Sequence, residues 1–452
     1  MRWSLWLNGA ALLAAAAAAA GMLRAQPAVH DGFLVTDVRV FDGERVVEHT
    51  TVAVSDGIIR SVGGDTAQWR DLPAIDGGGM TLLPGLIDAH AHVAGIEDLR
   101  QALRFGVTTV LDMAAIGPLP LGMAAIRKKS EASFDLADVR SAVLPATSLT
   151  GHGTQFGVAI PVVADATDAA AFVRQRRAEG SDYLKIMLNG VRSTRAGASN
   201  FASAQVAALV EAAHADGMLA VAHVETLRDV EIALAAGIDG LAHSWRQGPA
   251  SGEVARRLAE RRVFVVATLA VPDGFLPESR AALLSDPRLQ NVLSEPIRRQ
   301  LGRDFASPTP PSIGQRASVE LHLERVRALH EGGVAILVGS DAGSHQPTAH
   351  GLGVHRELEL LGAAGLSSKE IVAAATARTA DAFRLADRGR IAPGLRADLI
   401  LVRGDPTADL LAIRDIARVW KRGVEVDRSS RWAGHPGVTR CRSPMSALPP
   451  AF

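Results

Sequence analysis

Between Gly85 and Asp341 the chain alternates short, continuous apolar runs with longer stretches of helical periodicity. The runs are Gly85–Val93, Thr108–Met113, Val139–Ala146, Tyr183–Leu188, Leu219–Val224, Gly240–Ser244, Val263–Leu269 and Val334–Asp341. Amphipathic or Ala-rich helices, such as Phe201–Ala215 and Thr226–Ala236, separate most of them. Apolar runs without polar alternation predict parallel strands buried on both faces, and regular alternation with helices predicts an α/β fold. Eight such units over about 250 residues match a (β/α)8 TIM-like barrel. Pro272–Gln315 is too long for a plain connector and predicts extra helices over the barrel mouth.

The flanks read differently. Phe33–Val40, Thr51–Val54 and Ile58–Val62 are short strands punctuated by Gly43, Asp56-Gly57 and Gly63-Gly64. A matching strand-rich stretch, Ala397–Val402 and Ala417–Val426, lies near the other end. The economical reading is one small discontinuous β-sandwich domain made of 31–82 plus 389–428, with the barrel spanning 83–388. Residues 429–452 read as a loosely held tail. The first 25 residues form a class of their own: Arg2 as a positive start, then the uncharged run Gly9–Leu23, then small residues before Gln26-Pro27. That three-part pattern predicts a signal peptide over 1–25, cleaved near Gln26, and a secreted or periplasmic protein. The run is short for a permanent anchor.

Composition narrows the function classes. The 452 residues carry 48 Lys+Arg against 48 Asp+Glu, so no electrostatic footprint for nucleic acid or an anionic membrane exists. With 48% hydrophobic residues a large core is available and bulk disorder is excluded. A single cysteine, Cys441, excludes an intrachain disulfide framework and an all-thiolate zinc site. The expected partner is a small-molecule substrate, with no nucleic acid and no membrane after signal cleavage; homo-oligomerisation is left open.

Candidate chemistry gathers at the ends of the runs. His90 and His92 close the first run, two residues apart on one side of a strand. Lys185 sits in the fourth, His223 ends the fifth, His243 the sixth and Asp341 the eighth. In a barrel, functional groups come from the C-terminal ends of several strands and converge on one mouth. Taken singly, each has an ordinary explanation: a hydrogen-bonded core histidine, a lysine stretching its ammonium to the surface, an aspartate in a turn. Six candidates on five strand ends, in barrel order, point instead to a metal site.

These residues stand in Leu83-Pro-Gly-Leu-Ile-Asp-Ala-His-Ala-His, Asp182-Tyr-Leu-Lys-Ile-Met, Gly339-Ser-Asp-Ala-Gly and Gly389-Arg-Ile-Ala-Pro-Gly-Leu-Arg-Ala-Asp-Leu-Ile. The chain thereby resembles the metal-dependent amidohydrolase superfamily, and within it the imidazolonepropionase/prolidase-like amidohydrolases, over about residues 31–426. The resemblance implies two divalent metal ions, with zinc expected and manganese, cobalt or nickel as alternatives. His90, His92 and Asp341 would hold the buried ion, His223 and His243 the more exposed one, and Lys185, as N6-carboxylysine, would bridge them. It also implies a metal-activated hydroxide as nucleophile, with Asp341 taking its proton and passing it to the leaving nitrogen. His152, in Thr150-Gly-His-Gly-Thr, matches a family loop that contacts the oxyanion. Further substrate contacts are expected from Glu225, Arg192 and His350, with Arg195 beside Arg192.

Three function classes follow. The first is hydrolysis of an amide or peptide-type carbon–nitrogen bond, as in prolidase-like or N-acyl amino acid substrates, with ester or lactone hydrolysis on the same site. The second is a mononuclear deaminase or imidazolone-type ring hydrolase. Its acid–base Glu commonly lies three residues after the fifth-strand His, where this chain has Thr226, and Glu225 is one position short. The third is a non-enzymatic relative that has lost metal ligands, and none is missing here. Prolidase-like relatives often carry Tyr where this chain has Glu225. An acidic group there predicts weak activity on simple Xaa-Pro dipeptides, unless the carboxylate is held elsewhere or Glu225 bonds a metal ligand.

Overall fold

A computed structural model describes residues 32–115, 122–151, 154, 160–188, 200–249, 252–305, 314–343 and 346–429. The expected signal segment, the tail beyond 429, His152, Arg192 and Arg195 lie outside these residues.

Both chain ends feed one mixed sheet of eight strands. From the first end come β1 (Gly32–Phe41), β2 (Val46–Ser55), β3 (Ile58–Val62), β4 (Ala74–Asp76) and β5 (Met80–Pro84). From the second, after the eight strands β6–β13 described next, come β14 (Leu399–Arg403), β15 (Ile416–Lys421) and β16 (Val424–Glu425). The order is β16-β15-β14-β5-β1-β2-β3, with β4 beside β1. The two ends join where β5 and β14 run antiparallel, with Leu82 opposite Leu401. Alternate residues Val38, Val40, Leu82, Leu399 and Leu401 fill a separate core, in which Phe33 stacks on Trp420 at 4.9 Å. The sheet curls: Ala397 N donates to Gly57 O at 2.9 Å, and Gly423 N donates to Ala397 O at 2.9 Å.

The eight apolar runs contain eight parallel strands in two sheets. One is β6 (Leu86–Ala91), β7 (Val107–Asp112) and β8 (Asp138–Ser141). The other is β9 (Tyr183–Met187), β10 (Leu219–His223), β11 (Gly240–Ala242), β12 (Phe264–Val266) and β13 (Ile336–Leu337). Backbone hydrogen bonds cross both seams. Ala146 N donates to Lys185 O at 2.7 Å and Met187 N to Ala146 O at 2.9 Å. On the other side Ala89 N donates to Val338 O at 2.8 Å and Asp341 N to His90 O at 2.7 Å. Ile87, Leu111, Tyr183, Val221, Phe264 and Leu337 form one apolar cluster with Phe383, while the opposite strand faces pack on the helices.

Several strands end earlier than their apolar runs. Val143, His243, Thr268 and Asp341 adopt left-handed φ values of 56°, 74°, 53° and 49°, which takes the backbone out of the ladder there. The helices within the expected stretches start at Ser203 and Leu227. Thr226 caps the second, accepting from Asp229 N while Asp229 accepts from Thr226 N, a reciprocal cap written in the sequence Thr-Leu-Arg-Asp.

The long excursion before β13 holds helices Ala270–Gly274, Pro277–Ser285, Glu295–Leu301 and Gln315–Glu331. Its apolar face, including Leu283, Leu289, Leu293, Ile297 and Leu301, packs on Phe105, Ala349 and Leu352. Among the described residues no helix is long and apolar enough to cross a membrane.

Candidate metal centre

The strand ends bring six candidates together: His90, His92, Lys185, His223, His243 and Asp341. His90 Nε2 lies 3.5 Å and His92 Nε2 3.0 Å from Asp341 Oδ1, and His243 Nδ1 lies 3.9 Å from Oδ2. The His90 ring centre is 4.8 Å from that of His243, which is 4.6 Å from that of His223. Ligand atoms of His90, His243 and Asp341 all fall within 4.8 Å of one another. Lys185, on β9, is fully buried and close enough to His90 and His243 to influence both.

Local structure holds this arrangement. Asp88, two residues before His90, accepts from His90 N at 3.2 Å, from Ser340 N at 2.9 Å and from the Ser340 hydroxyl. It stitches the strand of the two histidines to the strand of Asp341. Asp112 does the same on the other side, accepting from Val93 N at 2.9 Å and from the Ser141 hydroxyl. Burial pushes both carboxyls up to about 6, against their hydrogen bonds. Gly339 is required here, because a β-carbon would fall 2.3 Å from Val266 Cγ1 and 2.8 Å from His90 Cβ. The left-handed backbone at His243 and Asp341 costs about 1–3 kcal/mol each, strain of the kind found where function dictates the aim of a side chain.

The protonation pattern is that of ligands. Burial, then the neighbouring Lys185 and histidines, hold His90 well below its ordinary pKa; burial, then His223 and Lys185, do so for His243. Both imidazoles are therefore neutral. Burial also pushes the Lys185 amine down to about 7. Its Nζ, His90 Nδ1 and Asp341 Oδ1 have no hydrogen-bond partner although buried, a condition that costs about 1–3 kcal/mol per group.

His92 sharpens the case. Its Nδ1 faces Ala114 O at 3.0 Å and must donate to it, so in the neutral ring Nε2 carries a lone pair. Nε2 stands 3.0 Å from Asp341 Oδ1, off the ideal hydrogen-bond direction. Two acceptors so close require a proton or a metal cation between them. In the metal-free chain the proton is the answer: burial opposes it, but the Asp341 carboxylate raises the His92 pKa above its ordinary value.

The remaining predicted residues divide. Glu225 lies at the site: Oε1 is 3.2 Å from His223 Nε2 and Oε2 is 3.3 Å from Arg246 Nε. His350, just before the helix Leu352–Ala363, is buried 3.7 Å from Asp98, and burial depresses its pKa. Several residues at the site were absent from the sequence reading: Asp88, Asp112, Arg246 and Thr268, whose hydroxyl is 2.7 Å from His243 Nδ1. Asp88 had a signal, an acidic residue in phase with His90 and His92 on a strand otherwise apolar. Thr268 and Arg246 had none.

A mixed sheet built from both ends, eight parallel strands and a strand-end histidine–carboxylate cluster define a class of α/β metal-site protein. The chain belongs to the amidohydrolase family, whose profile matches residues 81–426. It is 35% identical over 77 residues to an enamidase of Eubacterium barkeri, covering 15% of this chain and 20% of that one. It is 31% identical over 121 residues to a dihydroorotase of Geobacter sp. (strain M21), covering 25% and 27%. The matches thus span about a fifth to a quarter of these curated relatives. In fold it is similar to a Xaa-Pro dipeptidase solved with methionine in its active site, with TM-score 0.69 and 22% identity over 88% of this chain and all of that one. It is likewise similar to molinate hydrolase, with TM-score 0.70 and 20% identity over 93% and 99% of the two chains.

Proposed function

We propose that the chain is a metal-dependent hydrolase of amide or peptide-type carbon–nitrogen bonds in small molecules, and that its two parallel sheets close into one (β/α)8 barrel, the mixed sheet folding on itself as a sandwich. The observation that carries the activity is the His92–Asp341 contact, a half-buried imidazole nitrogen 3.0 Å from a buried carboxylate oxygen, beside an unpartnered lysine amine. Backbone bonds across both seams support the barrel.

The donor set fits divalent ions. Neutral imidazoles and carboxylates suit zinc, and an amine carrying carbon dioxide as a carbamate turns Lys185 from a repelling cation into an anionic donor. His90, His92 and Asp341 would hold one ion and His223 and His243 a second, with carboxylated Lys185 between. When bound, such ions acidify water and polarise a carbonyl. The chain's own groups do the rest. Asp341 accepts the proton of the attacking water at a carboxylate oxygen and delivers it to the departing nitrogen. Asp88 and Asp112 fix the first strand, and Thr268 fixes the ring of His243. Export after cleavage near Gln26 completes the proposal.

The test is elemental analysis with a hydrolysis screen of N-acyl amino acids, dipeptides, lactones and aryl esters on the metal-reconstituted protein. Two ions per chain with amide turnover are expected. One ion with deamination, or ester turnover alone, would replace this reading.

A further inference from the structure

Asp341 sits in a left-handed conformation, and something outside its own strand must hold it there. The segment after it is gripped by one side chain from the helical excursion, Gln300, on the helix Glu295–Leu301. Gln300 Nε2 donates to Gly343 O at 3.0 Å, Gln346 O at 3.2 Å and Thr348 O at 2.8 Å. Two amide hydrogens serve three carbonyls, so one bond is shared. Thr348 returns the grip inward, its hydroxyl donating to Asp341 O at 3.2 Å.

A second contact comes from the start of the same excursion. A β-carbon on Gly274 would lie 2.9 Å from Pro347 O, so the helix Ala270–Gly274 presses its backbone directly on this segment. That helix is itself fixed, because Asp273 receives a two-pronged ion pair from Arg356 at 2.7 and 2.8 Å. The excursion thus meets the chain after Asp341 at three carbonyls and one close backbone approach.

We propose that Gln300 is a positioning residue: its side-chain amide clamps the chain after β13 and thereby holds the Asp341 carboxylate where it faces His90 and His92. The helical excursion is the buttress that carries this clamp. The inference rests on Asp341 being the carboxylate of the proposed metal centre, but the clamp itself is readable without metal.

The experiment compares Gln300→Met, which keeps the length and removes the donor, with Leu283→Ala, which weakens the excursion's own apolar packing. Amide hydrogen exchange is followed across residues 339–349 in metal-free full-length chain, alongside the thermal midpoint. Gln300→Met should speed exchange there by about tenfold or more while the midpoint hardly moves, since such outer partners tune sites rather than folds. Leu283→Ala should lower the midpoint and speed exchange at 341 and 342 far less than Gln300→Met does, because the amide clamp is intact. The proteins are then loaded with Co2+ and the visible spectrum and chelator competition recorded. Gln300→Met should alter the spectrum and weaken cobalt about tenfold. Unchanged exchange in Gln300→Met overturns the clamp. Faster exchange with an unchanged cobalt spectrum overturns its bearing on the ligand. Wild type that takes up no cobalt defeats the metal reading of the site, and exchange still decides the clamp. If Gln300→Met does not fold, Gln300→Glu, an acceptor turned on three carbonyls, is read by the same criteria.

Discussion

Two buried clusters of ionisable groups lie in this molecule, and they are built on opposite principles. At the junction of the mixed sheet with β8, Asp138 is surrounded by Lys421, Arg396 and Arg388 at 2.6, 2.7 and 2.8 Å. The Lys421 contact is an ion contact off the ideal hydrogen-bond direction, yet Nζ also donates to Ser130 O and Leu136 O at 2.6 Å each. Arg396 reaches on to Asp398 at 2.8 Å, and Arg388 to Asp387. Three cations meet three carboxylates, two of them buried and Asp387 exposed, and the charges are matched. Around Asp341 the count does not match: four imidazoles and an amine face two carboxylates, Asp341 and Glu225, and Lys185 Nζ is left without a hydrogen-bond partner. Both clusters hold buried atoms off the hydrogen-bond direction, so what separates them is charge: each buried cation of the first stands within 2.8 Å of a carboxylate, whereas the Lys185 amine has no such partner. A cluster whose charges pair off joins parts of a fold, whereas one left with an unpaired amine among neutral imidazoles fits a ligand.

The sharpest way to break this comparison is to neutralise the central carboxylate of each. Asp138→Asn leaves buried cations facing no charge and should cost about 3–5 kcal/mol of stability, with activity per folded molecule retained. Asp341→Asn should do the reverse, cutting turnover by roughly 10²–10⁴-fold while the metal-free fold stays as stable or gains. Denaturant titration beside kcat decides it. A stable Asp138→Asn protein, or a fully active Asp341→Asn, would erase the distinction.

Lys185 and Lys421 form the next pair. Lys185→Ala should lose metal and most activity, partly restored by short carboxylic acids that stand in for the proposed carbamate, and its metal-free form should melt no lower than wild type. Lys421→Ala should melt lower and keep its metal. Metal content per folded chain separates the two.

Much of this was legible in the sequence, and for a physical reason. A strand buried on both faces must be continuously apolar, so all eight parallel strands announced themselves. Chemistry placed at their ends stood out as polar residues terminating those runs. The Asp138 cluster was invisible because Arg388, Arg396 and Lys421 lie some 250 or more residues from their partner, in stretches ordinary for a surface. Thr268 and Arg246 were hidden likewise: a hydroxyl or a guanidinium after a strand is common, and only the folded chain shows what it meets. Gln300 lay in a segment read simply as extra helices, since nothing in a helical sequence says which carbonyls a side-chain amide will reach.

Acid should separate the clusters by pH. His90 and His243 have folded pKa values below their unfolded value of 6.5, chiefly through burial, so the unfolded chain binds protons first. Stability of the metal-free protein therefore falls as pH drops below about 6.5. Asp138, held well below its ordinary value by Arg396, Lys421 and Arg388 against burial, contributes stability that is lost only below about pH 4. At the alkaline side Glu357, pushed up to about 8 by burial, favours the fold while protonated and loses that contribution as pH rises from about 4.5 through 8. Thermal midpoints against pH should show the first leg flattened in His243→Gln and the alkaline fall reduced in Glu357→Gln. Bound metal should remove the histidine leg and leave the Glu357 leg. Asp88 and Asp112, raised to about 6, slope the other way in this window, so the variant decides: a His243→Gln profile parallel to wild type from pH 5 to 6.5 would contradict the neutral-imidazole reading.

The smallest effect concerns Glu225, which stands between the two principles. Alone, its charge would repel a substrate carboxylate, as the sequence suggested. In the structure the carboxylate is shared by Arg246 at 3.3 Å and His223 at 3.2 Å, so much of that repulsion is already cancelled. Glu225→Gln releases the Arg246 guanidinium toward the site. A free acid should then gain over its carboxamide by only a fewfold in kcat/KM, on the order of 1 kcal/mol for a partly exposed charge. One N-acyl amino acid and its carboxamide, each measured on wild type and Glu225→Gln, give the ratio directly. A ratio that moves toward the acid in the variant places Glu225 and Arg246 beside the substrate's carboxylate end. A ratio that does not move means the carboxylate is held elsewhere and Glu225 serves only to orient His223. In that event metal retention, rather than substrate preference, is what Glu225→Gln should alter.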